Sequence, residues 1–177
     1  MIKKILLNAV LFISIFWIAL IFTMPKEAMW FKFEKLIYQK EAVIDKEVID
    51  SNIIFLNLAD GEIIFSGMNI ANFETANILP LLFYNSISIK NIRVGKDMQQ
   101  FKELSMDNLK IEYSVIHPVK IMLSADGEFG TLKGRINLQE NKVDILIFPK
   151  DKFKKVKFIM KHFKKHENGG YVYNAKF

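Results

Sequence analysis

The spacing of hydrophobic residues divides the chain into segments of different character. Residues 5–24, ILLNAVLFISIFWIALIFTM, form a 20-residue apolar run without a charged side chain. At about 1.5 Å per residue, a helix of this length covers the roughly 30 Å hydrocarbon core of a bilayer, whereas the apolar part of a cleaved signal peptide usually has about 7–15 residues. The run predicts an uncleaved transmembrane anchor with these anchoring side chains: Ile5, Leu6, Phe12, Phe16, Trp17, Ile21 and Met24.

The segment after the apolar run predicts a second, shorter helix. Residues 25–50 begin with Pro25, and Met29, Phe33 and Leu36 then follow at roughly helical spacing. We interpret residues 25–50 as a juxtamembrane helix and a linker.

Residues 51–177 show the period of two that is typical of β-strands. Ala59-Asp60-Gly61 lies between two apolar segments and predicts a first hairpin turn, since Asp-Gly is a strong hairpin signal. The stretch GEFGTLKGRINLQENKVDILIFP, residues 127–149, predicts a half-buried antiparallel pair that turns at Glu140-Asn141 and stops at a proline. The final YVYNAKF predicts a last strand.

Between that pair and the last strand, the apolar period becomes helical. Phe153, Val156, Ile159, Met160 and Phe163 form one stripe of a predicted helix that ends at Asn168-Gly169-Gly170. The remaining positions hold Lys152, Lys154, Lys155, Lys157, Lys161, Lys164 and Lys165. The predicted fold class is therefore α+β: a mainly antiparallel β domain with one C-terminal amphipathic helix, preceded by a single N-terminal transmembrane helix.

The lysine-rich helix has two interpretations. It is a surface helix with solvated lysines, or its lysines contact anionic lipid head groups or an acidic partner, because each basic residue near such a membrane adds about 1 kcal/mol. Nucleic acid is not an expected partner, since the aromatic residues lie on the apolar stripe and not among the lysines.

Candidate chemistry is sparse. The chain has no cysteine, which excludes disulfides, thiolate catalysis and cysteine metal sites. His162 and His166 have the four-residue spacing of a helical metal pair, but the adjacent lysines oppose a dication. Gly127, Gly130 and Gly134 lack the lysine and the strand-to-helix order of a phosphate loop. We therefore predict no enzymatic activity, no metal and no cofactor.

The charge distribution bears on orientation. The formal net charge is +6, and Lys3 and Lys4 lie in the short tail before the apolar run. A short basic tail favours the cytoplasm, and long following domains translocate largely regardless of charge. We predict a cytoplasmic tail at residues 1–4, an anchor at 5–24, and a β-rich domain at 51–177 on the other side of the membrane.

The order of these parts resembles protein N of type II secretion systems and, more loosely, the AsmA-like group of membrane-anchored β proteins. The matching stretches are FTMPKEAMW, NILPLLF, GEFGTLKGRINLQENKVDILIFP and GGYVYNAKF. The resemblance implies a single-pass protein of the bacterial inner membrane whose periplasmic β domain contacts other subunits of an envelope-spanning machine. It implies no catalytic residue.

Three functions follow as hypotheses. The first is a non-enzymatic accessory protein that acts through protein–protein contacts of its β domain. The second is a membrane-anchored module of AsmA-like type that binds or transfers lipid in an apolar groove. The third is an assembly chaperone that stabilises another membrane complex.

Overall fold

The computed structural model describes residues 2–150 and 161–177. It begins with helix α1 (Ile2–Thr23), which is followed after Pro25 by helix α2 (Lys26–Tyr38). Helix α1 is long and apolar enough to cross a membrane, and none of its residues is buried against other described residues. The helices are separate because a proline disfavours helical geometry in the residue before it.

The rest of the described chain is dominated by one antiparallel sheet of eleven strands. The strands are β1 (Ala42–Asp45), β2 (Val48–Ser51), β3 (Leu56–Phe65), β4 (Met68–Pro80), β5 (Tyr84–Val94), β6 (Met106–Ser114), β7 (Lys120–Gly127), β8 (Gly130–Asn137), β9 (Lys142–Pro149), β10 (Lys164–Lys165) and β11 (Tyr171–Lys176). A 3₁₀ helix (Lys96–Leu104) connects β5 to β6. The spatial order is β1-β3-β4-β5-β6-β7-β8-β9-β11-β10, and β2 also pairs with β3.

The predicted antiparallel pair near the C-terminus is confirmed. Strands β8 and β9 pair from Gly130 opposite Pro149 to Asn137 opposite Lys142. The turn includes Asn141, whose φ of +50° is a conformation that asparagine tolerates better than most residues. The predicted last strand is β11, which pairs with β9. The mainly antiparallel fold class is therefore correct.

The predicted hairpin turn at Asp60-Gly61 is wrong. Both residues lie inside β3, and the turn to β4 comes later, at Ser66 and Gly67. Asp60 does adopt a left-handed φ of +56°, but pairing with β4 continues on both sides of it. The chain continues as a strand because Gly61 leaves room for the ring of Phe73, which packs over it from β4.

The structure does not show the predicted C-terminal amphipathic helix. Residues 151–160 lie outside the described residues, and Lys164–Lys165 form strand β10, which pairs with β11. The helical spacing was misleading in this part because a hairpin forms around Gly169, with φ of +80°, and sheet pairing determines the backbone of Lys164 and Lys165.

The buried side chains form two clusters on one face of the sheet. The first is formed by Trp30 of α2 together with Leu56, Leu58, Phe73, Ala76 and Ile92. The second contains Ala125, Phe129 and Ile147, with Phe163 packed against it. Leu58 is only 2% exposed. The core is thus built by one face of a single sheet, which α2 covers at one side and the segments around Phe129 and Phe163 cover at the other.

We predict that Gly61→Ala destabilises the protein by about 1–3 kcal/mol, because the added methyl group overlaps the ring of Phe73. Urea denaturation of the full chain in detergent micelles measures this loss. In a Phe73→Ala background the same change should be neutral or stabilising, since the ring is gone and alanine restricts the unfolded chain. An equal loss in both backgrounds would contradict the packing argument.

Candidate functional site

The most extensive feature of the molecule is an apolar face on the sheet. Two rows of side chains run in register across the eight strands β3 to β9 and β11, and a third crosses seven of them. The first row is Leu58, Ala76, Ile89, Leu109, Ala125, Leu132, Ile147 and Tyr171. The second is Leu56, Ile78, Ile87, Ile111, Leu123, Gly134, Ile145 and Tyr173. The third is Pro80, Asn85, Tyr113, Ile121, Ile136, Val143 and Ala175. We call these three rows the apolar face.

The apolar face becomes more exposed from its first row to its third. Half of the first row is buried, including Leu58 and Ile147, whereas every residue of the third row is only partly buried. The first row is the better covered because the described segments around Phe129 and Phe163 pack against its middle and far end. The second and third rows therefore leave a band of aliphatic surface in partial contact with solvent.

The opposite face of the same strands is polar and carries ion pairs. Lys110 lies 2.8 Å from Glu112 on β6, and Arg135 of β8 lies 3.3 Å from Asp144 of β9. Tyr84 donates a hydrogen bond to Glu112. Lys110, and next Tyr84, lower the pKa of Glu112, so this carboxylate stays charged at neutral pH. The sheet thus presents one face suited to water and one suited to apolar material.

A cleft of about 230 Å³ lies between helix α2 and the apolar face. The helix contributes Met29, Trp30 and Phe33, and the sheet contributes residues of the second and third rows in β3 to β5. The wall is almost entirely aliphatic and aromatic. Its volume is below the roughly 300–1,000 Å³ of pockets that enclose a whole small ligand, so it suits part of an extended apolar chain.

Lys26, the first residue of α2, lines this cleft and is only 7% exposed. Its side chain forms no hydrogen bond or ion pair with any other described residue, and the neighbouring Glu27 accepts a hydrogen bond from Ser51. A second, more polar cleft on the other side of Lys26 is lined by Met24, Pro25 and Asn52 among others. The ammonium nitrogen of Lys26 is not among the enclosed polar atoms that lack a partner, so its aliphatic stem is covered while its charge stays accessible, which makes Lys26 a candidate binding group for an anion at the mouth of the cleft.

Helix α2 is held on the sheet by one aromatic residue and a carboxyl pair. Trp30 is buried, stacks 5.5 Å from Phe33 between ring centroids, and donates an indole hydrogen bond of 3.4 Å to Glu47 in the β1–β2 turn. Burial raises the pKa of Glu34 to about 7, with help from its hydrogen bond to Glu47 and from the charge of Glu47. The contact between α2 and the β1–β2 turn is therefore most stable when Glu34 and Glu47 share one proton.

The predicted anchoring residues Ile5, Leu6, Phe12, Phe16, Trp17 and Ile21 lie in α1, and Met24 follows its last residue. Four of these side chains are more than half exposed, as expected for a membrane-spanning helix: Ile5, Leu6, Phe12 and Phe16. Trp17 is partly covered, because the ring of Phe83 from the β4–β5 loop lies 4.5 Å away between centroids.

The structure does not bring the predicted lysine contacts together on a helix. Lys152, Lys154, Lys155 and Lys157 lie outside the described residues. Lys161 lies in a turn, and Lys164 and Lys165 form the edge strand β10.

The two histidines are not on a described helix either. His162 lies in a turn, and His166 accepts a hydrogen bond from the backbone N–H of Asn168 at 3.3 Å. Within residues 2–150 and 161–177, no group of three His, Asp or Glu side chains is arranged to hold a metal ion.

Sequence reasoning missed the most distinctive residues of the site, Lys26 and the cleft beside Trp30. In the sequence, Lys26 is one of several lysines that follow the membrane span. The available signal was the pattern Lys26, Met29, Trp30, Phe33, which places a lysine on the same helical face as three large apolar residues.

Comparison with known proteins adds nothing to this geometry. The chain matches no protein-family model, no curated protein and no solved structure. The resemblance to protein N of type II secretion systems therefore stays a prediction.

The carboxyl pair predicts a pH dependence of stability. The pKa of Glu34 is raised from 4.5 to about 7 on folding, so its contribution is full below about pH 4.5 and is lost as the pH rises through 7. The melting temperature of wild-type protein should therefore fall from pH 5 to pH 8. Glu34→Gln, which mimics the protonated form, should remove that fall, whereas Glu140→Gln in the exposed β8–β9 turn should retain it. Parallel pH profiles for wild type and Glu34→Gln would contradict the assignment.

Proposed function

We propose that the chain is a non-enzymatic, membrane-anchored module that binds lipid acyl chains on its apolar face. The observation that carries this proposal is the in-register apolar face, partly exposed along most of its second row and all of its third, with a cleft next to the start of α2. Helix α1 supplies the anchor. Lys3 and Lys4 favour a β domain on the non-cytoplasmic side, and the resemblance to protein N of type II secretion systems implies that the membrane is the bacterial inner membrane.

The dimensions of the apolar face suit acyl chains. Eight strands at about 4.8 Å spacing make each of the first two rows about 34 Å long, against about 15 Å for one leaflet of the roughly 30 Å hydrocarbon core. An extended acyl chain gains about 25 cal/mol for each Å² of apolar surface removed from water, without needing specific polar partners. The face can therefore hold chains that lie across the strands.

Lys26 supports an anionic head group at the cleft. A phosphate or carboxylate next to its ammonium group would pair a charge that no described residue pairs, and the acyl chain would extend past Trp30 and Phe33 along the second row. The proposed ligand class is therefore an anionic membrane lipid.

The accessory-subunit and chaperone hypotheses remain second proposals. A partner protein could also cover the apolar face or add a strand to one of the two edges of the sheet, which are formed by β1 with β2 and by β10 with the rest of β11. At β10, two exposed lysines discourage strand addition.

We predict that a photoreactive amino acid at Ile121 or Ile145, on the apolar face, forms adducts of lipid mass when the full chain is irradiated in cell membranes. The same group at Met122 or Leu146, the next residues on the opposite face, should give few such adducts. Mass spectrometry of the purified chain identifies the adducts. Protein adducts from Ile121 and Ile145 would favour the accessory role, and equal lipid labelling from both faces would contradict the proposal.

We predict that Lys26→Met lowers the ratio of anionic to zwitterionic phospholipid that purifies with the full chain. A decrease of about tenfold is expected, because hydrogen bonds to charged groups contribute about 1.5–3 kcal/mol. Lys32→Met is the matched control, since Lys32 is exposed on the same helix. Quantitative lipid mass spectrometry compares the variants, and identical lipid profiles would exclude Lys26 as the binding group.

A further inference from the structure

Three loops at one end of the sheet carry large apolar side chains that face solvent. The β2–β3 loop contains Ile53, Ile54 and Phe55, the β4–β5 loop contains Leu82 and Phe83, and the β6–β7 loop begins with Val115 and Ile116. Every one of them is at least 38% exposed, and Ile116 is 80% exposed. Together these seven residues form what we call the loop edge. Such a concentration of exposed apolar residues marks a site of interaction.

The loop edge lies beside α1. Phe83 stacks on Trp17, which is six residues before the end of α1 and therefore about 9 Å along the helix from that end. Asn52 of the β2–β3 loop lines a cleft with Met24 and Pro25. The N–H of Val115 donates a hydrogen bond of 3.0 Å to the carbonyl of Phe83, so the third loop is fixed to the second. The edge is thus continuous with the apolar helix.

The charges near the loop edge fit an anionic surface. The segments 52–55, 81–83 and 115–119 contain no acidic residue, and the β8–β9 turn at the same end contains one, Glu140. At the ends of β7, β9 and β11, Lys120, Lys142 and Lys176 lie in one row across the sheet, with Asn137 between the first two. Lys142 also pairs with Asp144 at 2.9 Å. Basic residues next to apolar tips are the combination that binds the head-group region of anionic membranes.

The other end of the described sheet has mixed charge and no described contact with α1. The β3–β4 turn exposes Phe65 and Met68, and the nearby 3₁₀ helix carries Asp97 together with Lys96 and Lys102. Asp97 accepts a hydrogen bond from the backbone N–H of Asn69 at 2.8 Å. The two ends therefore differ in chemistry although both expose some apolar surface.

We propose that the loop edge inserts into the surface of the same bilayer that α1 spans, so that the sheet contacts the membrane through the tips of these three loops. The inference rests on α1 as a membrane helix and does not depend on lipid binding in the cleft. Phe83 reaches below the head groups beside Trp17, and the lysine row lies at head-group level. The third row of the apolar face then begins at the membrane surface.

The absence of cysteine allows a direct test with single-cysteine variants of the full chain. Ile54→Cys, Leu82→Cys and Ile116→Cys carry an environment-sensitive fluorophore at the loop edge, and Phe65→Cys and Met68→Cys carry it at the other end. Ile54, Leu82 and Phe65 are each 45% exposed and Met68 is 47% exposed, so these positions are matched. The labelled chains are reconstituted in vesicles of phosphatidylcholine and phosphatidylglycerol that contain a lipid with a nitroxide quencher on its acyl chain.

The expected result is that the three loop-edge labels are quenched at least several-fold more than the two distal labels. Circular dichroism of each labelled chain verifies that it is folded, and five positions guard against the loss of any one variant. Equal quenching at both ends would overturn the proposal. If lipid adducts still formed on the apolar face in that case, the proposed function would stand and only the membrane insertion of the loop edge would fail.

Discussion

The structure depends on the register of antiparallel pairing from β3 to β11. Side chains alternate between the two faces of a strand, so a slip of one residue in any pairing would move every apolar side chain of that strand to the polar face. The alignment of Leu58 through to Tyr171 across seven pairings shows that no such slip accumulates. The short β8–β9 connection with left-handed Asn141 holds this register, whereas between β3 and β4 a register shift at Ile63/Ile64 separates the Gly67 turn from the aligned rows.

A single sheet with one apolar face needs something to cover that face. In the described chain, α2 covers part of β3 to β5 through Trp30, and Phe129 and Phe163 cover part of the far half. Apart from Leu56 and Gly134, the residues of the second and third rows stay partly exposed. A protein anchored by α1 has the acyl chains of the bilayer beside it. In the proposed function, these chains cover the cleft at Lys26 and the apolar face.

Local periodicity predicted the strands well where the alternation was long. The β8–β9 pair and β11 were predicted from the pattern around Ile145 and Tyr171, because a period of two has one simple explanation there. Asp60-Gly61 misled because its turn signal is local, whereas the contact between Gly61 and Phe73 that keeps the strand intact joins two strands. The helical spacing that ends at Phe163 failed in the described part for the same reason, since sheet pairing determines the conformation of Lys164 and Lys165.

The site was less predictable than the fold. Lys26 has the sequence context of an ordinary charge after a membrane span, and only the docking of α2 through Trp30 reveals its burial. The apolar face was visible as separate alternating segments, but its continuity depends on pairings that no single segment contains. The loop edge likewise forms only where the ends of several strands meet. In the sequence, residues 53–55, 82–83 and 115–116 are far apart, and each group looks like an ordinary apolar segment.

Lipid binding on the apolar face is best tested by methyl NMR of the full chain in nanodiscs that contain a lipid spin-labelled on its acyl chain. The signals of Ile145 and Leu146 are decisive, because these neighbours lie on opposite faces of β9. If lipid lies on the apolar face, Ile145 and the other isoleucines in the second and third rows show strong paramagnetic broadening, and Leu146 is largely unaffected. Equal broadening of Ile145 and Leu146, or none at either residue, would contradict the claim that the apolar face binds lipid.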